Sequence, residues 1–315
     1  MNVENYKSID GLQMHRLFDE DTVRAVSSYR PRQDDVFIAT FPKCGTTWTQ
    51  YLILSILTRG NPPKTLADFL LASPYLELMG VEAAEKMPRP GLLKTHLPAH
   101  KAPYSDDAKY IYVARNPYDV CVSFYYHLKG FTPKRIKDVS FATFHERFIA
   151  GKLSYGDYFD HLLSWYAYHD RPNVLFFTYE EMKKDPGSWA LKIAEFLGKD
   201  YSSELRRDPA LFGRVLDATS FQSMKGLFFS DIKNALIPEL LSLPPEKALK
   251  SVEVHRGWWF DREEMHECES FVRKGTVGDW RAHFTPEMIR KTKEWIERKT
   301  EGSDVMQLWS DIELP

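Results

Sequence analysis

The chain has 315 residues, 43% of them hydrophobic and 27% charged, with a formal net charge of −2 at pH 7. That balance excludes a bulk electrostatic attraction to nucleic acid and leaves local basic clusters suited to a small anion. It contains no run of about 18 apolar residues and no basic, apolar, small-residue leader, so neither a membrane span nor a secretion signal is expected. Cys44, Cys121 and Cys268 are odd in number and lack metal-like spacing, which argues against a disulfide framework or zinc site and for a cytoplasmic protein. The length suits one large domain over residues 1–315.

In chain order, Val36-Phe37-Ile38-Ala39-Thr40-Phe41 reads as a strand, and Trp48–Leu57 as a helix apolar nearly all round and therefore buried. Pro42-Lys43-Cys44-Gly45-Thr46-Thr47 joins them. A helix start presents unpaired N–H groups and a positive dipole end, so the natural ligand of this loop is an anion. Lys43 suits a bridging or leaving-group oxygen, Gly45 permits close backbone approach, Thr46 and Thr47 add hydroxyls, and Trp48 suits stacking on a purine. The nucleotide pattern GxxxxGK[ST] is absent, because Lys43 precedes Gly45. An ordinary strand-to-helix turn is the plainer alternative.

Residues 61–90 are rich in proline and small apolar residues without a clear period, and read as a substrate-side excursion with short helices. The next strand, Gly91–Thr95, ends in Lys94-Thr95-His96, at the strand end where parallel sheets carry their active residues. His96 there suits removal of a proton from an incoming hydroxyl, and Lys94 suits stabilisation of developing negative charge. Alone, such a histidine equally suits a structural role.

Strand Tyr110–Ala114 ends at Arg115, and a helix at about Tyr118–Leu128 carries Ser123 two turns in; both suit one phosphate, with an Arg115–Asp119 surface pair as the alternative. Helices at about Phe141–Ala150, Tyr155–His169 and Ser188–Leu197 flank a strand at Val174–Thr178. This alternation predicts an α/β fold, a parallel sheet with helices on both faces. Gly226–Cys268, with its prolines and Gly257-Trp258-Trp259-Phe260, reads as a lid-like insertion. Arg273-Lys274-Gly275 opens a glycine-bracketed turn that suits an anion clamp or a solvated basic loop. Thr285, Pro286 and Glu287 signal the start of a late helix. Aromatic residues form 14% of the chain. Among them Phe18, Tyr75, Tyr126 and Tyr155 suit the walls of a pocket for a flat molecule, and equally the core.

Taken together, Pro42-Lys43-Cys44-Gly45-Thr46-Thr47-Trp48, Lys94-Thr95-His96, the Arg115-to-Ser123 spacing and Arg273-Lys274-Gly275-Thr276-Val277-Gly278-Asp279-Trp280 resemble the cytosolic sulfotransferase family. Tyr179-Glu180-Glu181-Met182-Lys183-Lys184-Asp185-Pro186 and Thr219-Ser220-Phe221-Gln222-Ser223-Met224 extend the resemblance, which runs from about Asp35 to Thr285. It implies a P-loop-like three-layer fold and transfer of a sulfuryl group from 3′-phosphoadenosine 5′-phosphosulfate (PAPS) to a small hydroxyl or amine, leaving PAP, with no metal. It further implies Lys43, Cys44, Gly45, Thr46 and Thr47 for the phosphosulfate and Trp48 for the adenine. Arg115, Ser123, Arg273, Lys274 and Gly275 match the 3′-phosphate site, and Tyr179, Thr219, Phe221 and Met224 the adenine surroundings. His96 matches the base, with Lys43 and Lys94 flanking the transferred group.

Small phenols, phenolic amines such as catecholamines included, are the favoured acceptors, and hydroxysteroid-like alcohols come second. A P-loop kinase would need a lysine directly after the last loop glycine and a carboxylate for Mg²⁺, where this chain has Thr46 and Arg115. A non-catalytic phosphoadenosine binder would have no use for His96 and both lysines. Cys44 stands where the family commonly has serine; its place near Lys43 and a helix start suits a lowered pKa and easy oxidation, with a plain small filler as the alternative. The family's KxxxTVxxxE dimer segment falls on 281–290, where Arg281, Pro286 and Arg290 replace its lysine, valine and glutamate, so a monomer is expected. The stretch from about Phe228 to Ser270 is longer than in vertebrate members.

Overall fold

The computed structural model describes residues 6–131, 139–228, 239–240, 242–243 and 273–315. The predicted insertion at 226–268 lies almost wholly outside the described residues, as does Cys268. The centre of the fold is a parallel sheet of β3 (Asp35–Ala39), β4 (Gly91–Thr95), β5 (Lys109–Ala114) and β6 (Val174–Thr178), in the order β4-β3-β5-β6. Ahead of it an antiparallel hairpin, β1 (Tyr6–Ile9) and β2 (Leu12–His15), was not expected from the sequence.

Helices cover both faces of the sheet, as parallel strands buried on both sides require. Val36, Ile38, Ile111 and Val113 point to the face covered by α2 (Thr46–Leu57), α9 (Pro186–Leu197) and α11 (Pro209–Ala218). Phe37, Ala39, Tyr110 and Tyr112 point to the opposite face, toward α5 (Pro117–Phe131), α6 (Phe141–Ile149) and α7 (Tyr158–Tyr166). Phe37 stacks on Tyr110 with ring centroids 5.0 Å apart, and both are fully buried. Each such side chain removed from water stabilises the fold by about 1.5–3 kcal/mol.

The helix after the opening loop begins at Thr46, two residues earlier than the sequence suggested, so Thr46 and Thr47 form its first turn. The helix expected from Tyr155 begins at Tyr158 instead, capped by Asp157, whose carboxylate accepts from Phe159 N and Asp160 N. Tyr155 and Gly156 have φ of 71° and 76°, a left-handed turn that helical pattern alone conceals. In the 61–90 excursion, α3 (Leu66–Ala72) and α4 (Leu76–Lys86) are short helices, the second kinked at Gly80. The excursion returns to the sheet where Tyr75 pairs as an isolated bridge with Lys94, and Lys94 N donates to Pro74 O at 2.9 Å. α8 (Tyr179–Lys184), α10 (Lys199–Arg207) and α12 (Phe221–Phe228) complete the later part of the chain, and α13 (Pro286–Thr300) starts at the predicted Thr285 cap. Among the described residues no helix is long and apolar enough to cross a membrane.

Candidate active site

The carboxyl ends of β3, β4 and β5 converge on one spot. Beyond β3 the chain turns through Lys43 (φ 74°) and Gly45 (φ 98°) into α2. Successive turns of this kind point backbone N–H groups into one concavity suited to an anion. A Cβ at Gly45 would stand 2.9 Å from Tyr179 Cδ2, so both the space and the backbone conformation exclude other residues. The Thr46 hydroxyl is engaged with Thr40 Oγ1 at 2.6 Å, leaving its main-chain N–H to the loop.

Of the two readings of Cys44, the geometry agrees with the small filler. Its side chain is fully buried, and burial pushes the thiol well above its ordinary pKa, outweighing the nearby positive charges of Arg115 and Lys43. It fills space in the core, and it is not an activated thiol.

His96 is held at three places. Its Nδ1 lies 2.7 Å from Thr40 O, and a carbonyl only accepts, so Nδ1 carries the proton and Nε2 is the basic nitrogen of the neutral ring. Its main-chain N–H donates to Glu77 Oε1 at 2.6 Å, and its carbonyl accepts from His161 Nε2 at 3.0 Å. His161 in turn takes a hydrogen bond from the Tyr112 hydroxyl at 3.0 Å. Burial first, then the charge of Lys94, pushes the His96 imidazole well below its usual pKa, against the opposing hydrogen bond that its Nδ1–H donates to Thr40 O. The ring is therefore neutral, and able to accept a proton, throughout the physiological range. Lys94 Nζ lies over the Tyr75 ring, 4.0 Å from its centroid, and burial lowers its ammonium to about 8.

Arg115 is the hub of a second cluster. It donates to Lys43 O at 3.2 Å and Thr276 O at 3.3 Å, lies over the Tyr179 ring at 4.4 Å, and approaches Asp119 to 3.9 Å. Both Arg115 and Asp119 are buried, so this is no surface pair. Arg115 Nε has no partner among the described residues, a donor free for an added anion. Asp119 ties the cluster to the late loop: its carboxylate accepts from Gly278 N at 2.8 Å and Trp280 N at 3.1 Å. In that loop Arg273 and Lys274 both bond Asp279. Burial would raise the Asp279 carboxyl, but those two cations outweigh it and hold it below its usual pKa. Ser123 lies on α5 three residues before Tyr126, and Tyr126 packs under the Arg273 guanidinium at 4.5 Å, so this helix face looks toward the loop.

Trp48, Tyr179, Phe221 and Gly275 lie together. Trp48 meets Tyr179 edge-on at 5.6 Å, and a Cβ on Gly275 would meet Phe221 at 3.0 Å and the Tyr179 hydroxyl at 3.7 Å. Met224 is buried beneath. The Thr219 hydroxyl is spent on Val215 O and Leu216 O of its own helix.

Of the proposed acceptor residues, Phe18, Tyr75 and Tyr155 gather around His96. Tyr75 and Tyr155 approach its ring edge-on at 5.2 and 5.4 Å, share a hydroxyl–hydroxyl hydrogen bond, and each touch Phe18. Tyr126 does not join them; it faces Arg273 and His283. Two groups escaped the sequence reading. Glu77 is a fully buried carboxylate beside His96, flagged only by its place in an apolar stretch. His127 lies one turn past Ser123 on α5; burial, then the charges of Lys43, Lys94 and His96, push it well below the usual range.

A strand-tip histidine, a positive-φ loop at a helix start and a second basic cluster thus lie together at the carboxyl ends of the strands. The sulfotransferase domain model matches residues 33–304. Bovine sulfotransferase 1E1 is 33% identical over 308 residues, covering 95% of this chain and 94% of its own. Rabbit amine sulfotransferase is also 33% identical, over 93% of this chain and 89% of its own. Among solved structures, mouse sulfotransferase SULT7A1 complexed with PAP is 27% identical with a TM-score of 0.67, covering 97% of this chain and 98% of its own. Retinol dehydratase in complex with androsterone and PAP, 23% identical with a TM-score of 0.71, covers 99% of this chain and 93% of its own and shares the fold. The chain belongs to the sulfotransferase domain family and is a sulfotransferase.

Asp119→Asn replaces one of the two acceptor oxygens facing Gly278 N and Trp280 N with a donor. Amide exchange at one or both positions is expected to accelerate about tenfold or more by hydrogen-exchange mass spectrometry, with α2 unaffected. Unchanged exchange at both would show that Asp119 does not hold the loop.

Proposed function

We propose that the protein transfers a sulfuryl group from PAPS to the hydroxyl of a small aromatic acceptor, without a metal. The observation that carries this reading is the Nδ1 hydrogen bond of His96 to Thr40 O, which leaves a neutral, basic Nε2 beside the loop around Lys43 and Gly45. PAPS supplies the activated sulfuryl group and a phosphoadenosine leaving group. The residues fit it: the orphaned Arg115 Nε, the cradle at Gly45 that a Cβ would fill, and Arg273 and Lys274 supply what two separated anions require.

His96 Nε2 removes the acceptor proton, while Lys43 and Lys94 offset charge at the leaving and transferred oxygens. Trp48, Tyr179 and Phe221 suit stacking on the adenine, Gly275 lets the main chain approach, and Ser123 adds a hydroxyl on the α5 face. Phe18, Tyr75 and Tyr155 form an aromatic wall suited to a flat phenol or phenolic amine better than to a sugar. A hydroxysteroid-like alcohol is the second class such walls admit.

We also propose a monomer in the cytoplasm. The segment at 281–290 is occupied within the chain: Arg281 pairs with Glu313, Thr285 caps α13, and Arg290 pairs with Glu287 and Glu294. Light scattering is expected to give 36.7 kDa; a mass near twice that would overturn the monomer.

The transfer itself is tested with purified protein, PAPS and a panel of phenols, catecholamines and hydroxysteroids in the presence of EDTA. Sulfation of at least one phenol is expected, with His96→Ala slower by about a hundredfold or more. Full activity in His96→Ala would remove the base, and a requirement for ATP and Mg²⁺ would favour phosphoryl transfer.

A further inference from the structure

Glu77 is a buried carboxylate at the reaction centre that touches none of the proposed reacting groups except through the main chain of His96. It sits in the first turn of α4, fully buried, where the excursion rejoins the tip of β4. Oε1 takes the main-chain N–H of His96 at 2.6 Å, while Oε2 has no hydrogen-bond partner among the described residues. A carboxylate oxygen buried without a donor is costly, and a fold that keeps it needs a compensating charge nearby. The cation whose charge acts on it is Lys94, held over the ring of Tyr75 two residues before Glu77. Its main chain is joined to the same segment through Pro74 O and the Tyr75 bridge, and its ammonium rests on the Tyr75 ring.

We propose that Glu77 is a positioning residue of the reaction centre: one oxygen fixes the main chain of His96, and its negative charge keeps the ammonium of Lys94 protonated. The inference rests on the transfer reading of His96 and Lys94. The titratable groups that act around Glu77 are Lys94 on β4, Tyr75 at the start of its own helix and Tyr155 before α7, while His96 reaches it through its main-chain N–H. Burial raises the Glu77 carboxyl to about 7, against the opposing His96 N–H and Lys94 charge. Burial lowers Lys94 to about 8, against the opposing charge of Glu77.

A lysine in a crowded site loses its proton more easily when its counter-charge is removed, so the group that offsets transferred-oxygen charge fails at lower pH. Glu77→Gln keeps an acceptor oxygen for His96 N–H and removes the charge, which separates the two roles.

Two titrations read this coupling without turnover. Lys94 is pulse-acetylated with acetic anhydride across pH 6–10 and followed by peptide mass spectrometry. The wild-type inflection is expected near 8, and that of Glu77→Gln lower by roughly half a unit or more. The reciprocal measurement follows the Glu77 carboxyl by ¹³C NMR: in Lys94→Met its midpoint is expected to rise from about 7, because the coupling of two sites is mutual. In turnover, the basic limb of the kcat profile moves down with the Lys94 inflection in Glu77→Gln.

An unmoved Lys94 inflection in Glu77→Gln overturns the proposal. So does an unmoved Glu77 midpoint in Lys94→Met, which decides the matter if Glu77→Gln does not fold. Absence of sulfation in the wild type would sink the transfer reading while leaving both titrations interpretable.

Discussion

The hydrogen bond between His96 Nδ1 and Thr40 O is the constraint on which the rest of the site depends. It spans two neighbouring parallel strands, and it converts a backbone carbonyl at the tip of β3 into the device that chooses the tautomer of a side chain beyond β4. Thr40 also bonds Thr46 through its hydroxyl, so the imidazole and the first residue of α2 are linked through one threonine. Sheet register is thereby translated into the spacing between a base and an anion cradle. A slip in strand pairing would separate the two.

Around that bond the molecule accepts an unusual density of buried polar groups. Glu77, Asp119 and Glu180 are all buried carboxylates, each committed to main-chain N–H groups: Glu77 to His96, Asp119 to Gly278 and Trp280, and Glu180 to Asn116. Glu180 also accepts from Trp309 Nε1 at 3.0 Å, tying the C-terminal turn to the start of α5. These contacts join segments far apart in the chain, and leaving any one unsatisfied costs about 1–3 kcal/mol. The site is thus preorganised by carboxylates that need not touch a substrate at all.

The four central strands were legible because each is buried on both sides and reads as a short apolar run. The anion loop and the late helix were legible through local chemistry: a glycine at positive φ, and Thr285 before Pro286. What the sequence hid was set at a distance. The start of α7 depends on a left-handed turn at Tyr155, whose N–H bonds Gln13 O in the hairpin. The choice between the two readings of Cys44 follows from complete burial, which keeps the thiol protonated despite the nearby helix start. Tyr126 faces Arg273 because α5 turns it toward the late loop, and Glu77 meets His96 across 19 positions. None of these is a periodicity.

His96 is a neutral imidazole with its proton on Nδ1 and its basic nitrogen free. The most direct measurement is ¹⁵N NMR of ring-labelled histidine, with His96 assigned by comparison with His96→Gln, between pH 5.5 and 8. The expected result is an Nδ1–H tautomer that does not titrate over this range, since burial and Lys94 hold its pKa well below the usual value. An Nε2–H tautomer, or an imidazolium that forms near pH 6.5, would contradict it.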